Sequence, residues 1–378
     1  MKSSHLQLSS LLFSVFASAQ NSRICQDYMI PVNITSQVLV ASYPHFQDSY
    51  DVVDFINNLA RRDANATKSP FSGVESATAA YNIGATFCSP GTNTNTSQER
   101  TILVATHGLA YDRRYWDSGM DPTNYSFVDF AISRGYSVFF YDRLGTGLSS
   151  KVSGYNESQA TTQLGILQQL TGFLRDGKYT GNFGTPSKIV HVGHSFGSLL
   201  SNGLIATTPE ISDGAILTGL AYDQNASPFL EAFALRIASE QFPGKWSDRD
   251  NHYVTSVDAA ANAATFFHGD SFSKEVLWYT ESITQPVASI ELLTSGAIRL
   301  NATTFTKPVM IISGEFDFAV CGGNCVGILE HPAKEVNFPN ATDFQAIVHP
   351  STGHNINFSY NATGAYDVIL SYLSKHGL

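Results

Sequence analysis

Lys188-Ile-Val-His-Val-Gly-His-Ser-Phe-Gly-Ser-Leu-Leu-Ser201 is the stretch that decides how this chain folds. It reads as a buried strand, a turn too tight for ordinary side chains, and then a helix. Within it, Gly193-His194-Ser195-Phe196-Gly197 is a G-x-S-x-G pattern, and the force of that pattern is steric. A serine held at a strained strand-to-helix turn has its hydroxyl exposed, while small neighbours on both sides let strand and helix close in on it. The helix that follows aims its unpaired N–H groups, the positive end of its dipole, at whatever lies before the serine. Two glycines around a serine also arise by chance in a chain with 29 glycines, so the surroundings carry the weight.

Those surroundings repeat one pattern. Thr101-Ile-Leu-Val-Ala-Thr106 and Ser137-Val-Phe-Phe-Tyr141 on one side, and Gly214 to Tyr222, Pro308-Val-Met-Ile-Ile-Ser313 and Phe344-Gln-Ala-Ile-Val348 on the other, are short apolar runs. Such runs suit strands covered on both faces of a parallel sheet. Helical spacing fills the gaps: Phe127 to Arg134, and Gln159 to Leu174 with Leu164, Leu167, Leu170 and Leu174 on one face. The alternation predicts the α/β class, with a mostly parallel, doubly wound sheet. Residues 20–98 lead into this core with strands over Val32 to Ser42 and Ala79 to Cys88 and a helix over Asp48 to Arg62, none of it carrying chemistry. Residues 223–306 change character, with alanine, aromatic and polar residues in helical patterns and no strand-like run until Lys307. A structureless loop of that length is improbable, so the segment reads as an inserted helical cap between core parts 99–222 and 307–378. Its Phe229, Phe233, Phe242, Trp246, Phe266, Phe267 and Trp278 are available to line a pocket, although most will be ordinary packing.

Composition narrows the function. The chain has 378 residues, 43% of them hydrophobic, enough for one large domain with an inserted subdomain. A formal net charge of -10 and no run of lysines and arginines argue against a nucleic-acid partner. Residues 1–19 read as a secretory signal: Lys2, an apolar run through Leu11-Leu12-Phe13-Ser14-Val15-Phe16, then Ala17-Ser18-Ala19. That run is too short to span a membrane. N-x-S/T acceptors at Asn33, Asn65, Asn95, Asn124, Asn156, Asn225, Asn301, Asn340, Asn357 and Asn361 agree with a secreted glycoprotein. The four cysteines, Cys25, Cys88, Cys321 and Cys325, favour disulfides in that compartment. Cys321-Gly-Gly-Asn-Cys325 is compact enough to pair with itself, leaving Cys25 with Cys88, one of three possible connectivities. No second Cys/His pair stands nearby at ligand spacing, so no metal and no cofactor is expected.

Three polar residues follow apolar runs in a telling order: Ser195, then Asp317 in Gly314-Glu315-Phe316-Asp317, then His354 after Gly353. A serine hydroxyl is a weak nucleophile near neutral pH, so a histidine must take its proton and a carboxylate must fix that histidine's tautomer. Asp223 and His349 are rivals for the acid and the base; His191 and His194 read as structural, and Glu315 as solvated or a neighbour of Asp317. Asp142-Arg143-Leu144-Gly145-Thr146-Gly147-Leu148-Ser149 lacks the G-K-[ST] ending of a phosphate loop and reads as a structural turn at the sheet edge.

Together with His107-Gly108 and that Asp142–Ser149 turn, these motifs resemble the α/β-hydrolase superfamily, of the kind with a helical cap, over roughly residues 99–375. With its signal segment and Cys25-containing preamble the chain is most similar to secreted fungal members, some of which act in secondary-metabolite pathways. The resemblance implies Ser195, Asp317 and His354 as catalytic residues and the N–H groups of Leu109 and Phe196 as an oxyanion hole. It departs from the family at Leu144, where relatives often carry arginine or glycine, and His107-Gly108-Leu109 stands in for the lipase H-G-G-G loop. It implies an acyl-enzyme hydrolase for a small ester, lactone or thioester. Lyase or acyl-transfer chemistry on the same scaffold and a non-catalytic ligand-binding protein are the alternatives.

Overall fold

The computed structural model describes residues 23–61, 63, 69–91, 100–222 and 227–378. The signal-like segment, the acceptor sites Asn65, Asn95 and Asn225 and the rival carboxylate Asp223 lie outside the described residues. In chain order the strands are β1 (Arg23–Ala41), β2 (Phe71–Pro90), β3 (Thr101–Thr106), β4 (Ser137–Tyr141), β5 (Lys188–His194), β6 (Gly214–Thr218), β7 (Arg236–Ile237), β8 (Tyr253–Thr255), β9 (Val287–Ala288), β10 (Val309–Gly314) and β11 (Phe344–His349). Eight of them form one sheet in the order β1-β2-β4-β3-β5-β6-β10-β11. From β4 to β11 every neighbouring pair is parallel, and β1 and β2 add an antiparallel ribbon at one side. The chain thus has the predicted α/β fold.

The apolar runs become strands because both faces are covered. Every residue of β3, β4, β6 and β10 is buried. Helix Ala160–Arg175 packs on one face with Ile166, Leu167, Leu170 and Leu174, in the cluster that includes Ile102, Val104 and Ile189. On the other face, Leu103, Val190, Val192 and Ile216 share a cluster with Ile369, Leu370 and Leu373 of the last helix.

The ribbon is longer than the sequence suggests. β1 and β2 pair over nearly all of 19 and 20 residues, in a register that sets Cys25 opposite Cys88, and a disulfide joins them. A strand of that length at a sheet edge leaves a row of unpaired backbone groups. Two side chains of helix Ala160–Arg175 and its start occupy that row. Gln169 accepts from Asn33 N and donates to Asn33 O (3.0 and 3.2 Å), and Gln159 does the same at Leu39 (both 2.8 Å). Each amide takes the place of a neighbouring strand.

Between β6 and β10 the chain leaves the sheet and builds a roof over its carboxyl edge. The helices expected there are present, including Ser227–Phe233, Ala259–Phe266, Lys274–Ile283 and Ser289–Thr294. The absence of strands is not: β7, β8 and β9 form a small antiparallel sheet. Segments of two or three residues are too short to leave a period in the sequence. Helix Ser49–Ala60 also joins the roof, Ser49 bonding to Glu240 and to the β7 backbone.

Candidate active site

All the singled-out residues that follow strands of the main sheet lie beyond its carboxyl edge, where ligands sit in such folds. Ser195 follows β5 at φ 54°, ψ −119°, a backbone region that costs a non-glycine residue of order 1–3 kcal/mol. The surroundings enforce it. Ser195 N donates to Thr218 O (2.8 Å), and the Ser198 hydroxyl donates to the same carbonyl (2.7 Å). A methyl at Gly193 would overlap Ser198, and one at Gly197 would overlap Thr106 O, so both glycines of the pattern are sterically required. The half-buried Ser195 hydroxyl makes no hydrogen bond among the described residues.

Asp317 follows β10 and His354 lies on the loop after β11. Their side chains meet in full burial, His354 Nδ1 lying 2.7 Å from Asp317 Oδ2. The other Asp317 oxygen accepts from Val320 N (3.0 Å). The His354 ring is stacked 5.5 Å from Phe266, and the next residue anchors the loop, Asn355 N donating to Phe266 O (2.7 Å). Gly219, at φ 59°, forms a floor: a methyl there would come within 3.1 Å of His354 Cε1. Ser195 and Gly219 line the same cavity. The structure therefore pairs Asp317 with His354 and sets Ser195 nearby, without a hydrogen bond between Ser195 and His354. Such contacts are often loose before substrate closes on them.

The rival base is occupied elsewhere, and the histidines read as structural have their own partners. His349 lies 2.9 Å from Asn361 O, to which its Nε2 donates. His191 is buried between Thr171 and Ser212, and burial pushes it down to about 3. His194 stacks on Tyr115 (4.3 Å) with its Nδ1 on the Thr218 hydroxyl; burial and the neighbouring His354 and His107 hold it well below the ordinary range. Glu315 accepts from Ser351 N (2.9 Å) and so braces the loop that carries His354.

The N–H groups of Leu109 and Phe196 have no protein acceptor among the described residues, and both residues border the cavity. Gly108 brings the two loops together: a methyl there would stand 2.9 Å from Ser195 Cβ. His107 is buried and neutral, pushed well down by burial and by the charge of Arg143. Its Nδ1 donates to Gly108 O (2.8 Å), and its Nε2 accepts from Arg143 N (3.0 Å).

The cavity holds about 350 Å³. Its wall includes Leu59, Leu109, Leu199, Leu220, Leu292 and Leu293, and among the described residues no charged side chain lines it. Of the seven aromatics proposed for the pocket only Phe229 lines this cavity, while Trp278 is 63% exposed and Trp246 is buried in packing. Leu59 comes from the N-terminal helix read as carrying no chemistry. Its helical spacing was visible, but not the surface that face meets.

These elements match a known pattern. The sequence profile of the alpha/beta hydrolase family matches residues 102–363.

The chain belongs to the α/β hydrolase family.

A thermophilic esterase from Thermogutta terrifontis is similar in structure at 18% identity and a TM-score of 0.50, over 79% of this chain and 95% of that one. A putative non-heme bromoperoxidase from Mycobacterium tuberculosis gives 16% identity and 0.52, over 78% and 96%. At such identities the likeness speaks for this hydrolase's fold alone. No curated protein sequence matches it.

Two disulfides, Cys25–Cys88 and Cys321–Cys325, account for all four cysteines of this hydrolase. No helix among its described residues is long and apolar enough to cross a membrane, and no three His, Cys, Asp or Glu there are grouped to hold a metal ion. Of the described acceptor asparagines, Asn33, Asn124, Asn156, Asn301, Asn340 and Asn361 are exposed. Asn357 is a correction: it is buried and its amide donates to Tyr115 O (3.0 Å), which leaves no room for a glycan.

Proposed function

We propose that this chain is a secreted serine hydrolase that cleaves neutral, apolar carboxylic esters or thioesters through an acyl-enzyme. The observation that carries the reading is the buried Asp317–His354 pair (2.7 Å) beside a strained Ser195 that opens into a largely apolar, leucine-rich cavity. Ser195 Oγ attacks the substrate carbonyl as His354 Nε2 takes its proton. Asp317 holds the Nδ1–H tautomer and stabilises the imidazolium. The oxygen that gains negative charge meets the free N–H groups of Leu109 and Phe196, each such donor typically worth about 2.7–4 kcal/mol of barrier. The bond to the leaving group, carbon–oxygen in an ester or carbon–sulfur in a thioester, then breaks, and the alcohol or thiol departs with the proton from His354. Water, activated by the same imidazole, releases the acid and restores Ser195.

The wall sets the substrate class. Among the described residues no charge stands there to pair a carboxylate or an ammonium group, and burying one unpaired would cost several kcal/mol. At about 30 Å³ per liquid-packed heavy atom, 350 Å³ accommodates roughly a dozen non-hydrogen atoms. Secretion is supported by the two disulfides and by the exposed acceptor asparagines. Ser195→Ala decides the mechanism: hydrolysis of a p-nitrophenyl ester should drop at least about 10³-fold, and a fluorophosphonate should no longer add to the protein mass. Full activity in that variant refutes the assignment.

A further inference from the structure

The side chain that couples the roof to the two oxyanion donors is one the mechanism leaves unused. Arg143, just after β4, is 1% exposed and wholly surrounded. Its Nη2 donates to Gly108 O (3.0 Å), and its guanidinium lies 4.7 Å from the centroid of the Phe196 ring. Its Nη1 donates to Gln163 Oε1 (2.6 Å) and to the buried carboxylate of Glu291. Glu291 belongs to helix Ser289–Thr294, whose next two residues, Leu292 and Leu293, are cavity wall.

We infer that Arg143, held by Glu291, is a positioning residue that aims the Leu109 and Phe196 N–H groups at the substrate oxygen; this rests on the hydrolase reading above. The argument is geometric. A peptide group is planar, with its C=O and N–H pointing in opposite directions. Gly108 O and Leu109 N–H belong to the same peptide, so fixing the carbonyl on Arg143 and His107 fixes the direction of the N–H. The same guanidinium stacks on Phe196, whose own N–H is the second donor. One planar cation therefore touches both donor residues, and a lysine ammonium has neither the fork nor the flat face to do so. Glu291 places that cation, so that a shift of the Leu292–Leu293 wall is transmitted to the donors.

The test compares Arg143→Lys and Glu291→Gln with the wild type on p-nitrophenyl butyrate, with butylboronic acid as a mimic of the tetrahedral state and the neutral butyramide as a mimic of the ground state. Donors used mainly in the transition state should lower kcat without changing KM. Arg143→Lys should lose about 10- to 100-fold in kcat and in boronate affinity, within the loss expected for one misdirected donor, while KM and butyramide affinity hold within about twofold. Glu291→Gln should show the same pattern at about 3- to 10-fold. Should Arg143→Lys not fold, the double variant Arg143→Met/Glu291→Leu removes both buried charges together and takes the same measurement, and Glu291→Gln decides if neither Arg143 variant folds. Unchanged kcat in the folded variants, or equal weakening of boronate and butyramide, overturns the positioning role. A wild type that neither hydrolyses the ester nor reacts with a fluorophosphonate instead sinks the hydrolase reading itself.

Discussion

At the scale of the residue, the site depends on atoms that are absent as much as on those present. Gly108 lies under the serine, where any side chain would press on Ser195 Cβ at 2.9 Å and on the His194 carbonyl at 3.1 Å. Gly108→Ala should therefore lower kcat/KM by about 10²-fold, the effect of displacing a reacting group by around an ångström. Because the clash is local, the melting temperature should fall by only a few degrees; wild-type kinetics in this variant would mean that Ser195 tolerates displacement. Sequence reading placed Gly108 in the loop that offers the Leu109 donor but did not place it against Ser195, since the contact joins loops 87 residues apart. Arg143 was missed for the same reason. It sat within a motif read only as a turn, and nothing in the spacing of Asp142 to Ser149 tells that its guanidinium turns inward to Gly108 O.

At the scale of the element, the exposed edge of β1 is closed by two glutamines. Each satisfies one N–H and one C=O of the strand, and the four bonds contribute about 0.5–1.5 kcal/mol apiece. Gln159→Ala with Gln169→Ala should cost about 2–6 kcal/mol and leave an open edge for strand addition. Light scattering across a concentration series should show more self-association than in the wild type; an unchanged mass would show that the edge is blocked by other means. The leucine periodicity of Gln159 to Leu174 did locate this helix. The polar positions between the leucines carried no sign of this, because only pairing across 120 or more residues turns a glutamine into a substitute strand.

For the whole molecule, burial without charge makes the fold sensitive to acid. Burial and the Arg175 charge push His191 down to about 3, and burial holds His107 and His194 well below their ordinary value. A histidine whose folded pKa is depressed binds its proton more readily when unfolded. Stability is therefore full above the unfolded value near 6.5 and is lost as pH falls toward the folded value, at about 1.4 kcal/mol per pH unit for each such group. Asp142 acts the other way: burial and nearby Asp112 raise it to about 6, so it favours the folded state as pH falls from there toward 4. Three histidines outweigh one aspartate. Urea unfolding at pH 7 and pH 5 should give a markedly lower stability at pH 5, and His191→Asn should flatten that difference. Equal stabilities at the two pH values would contradict the buried, neutral state of these rings.

The sequence by itself determined the α/β class, the elbow at Ser195 and the order of its chemical residues. Burial on two faces forces continuous apolar runs, and tight turns force glycine, and both leave local marks. Tertiary structure alone decided that Asp317 meets His354 while His349 turns to Asn361, that Leu59 joins the cavity wall, that Asn357 is buried, and that Arg143 grips the Gly108 loop. Each of these depends on distances between residues far apart in the chain, and such distances are set by how covered faces pack against one another.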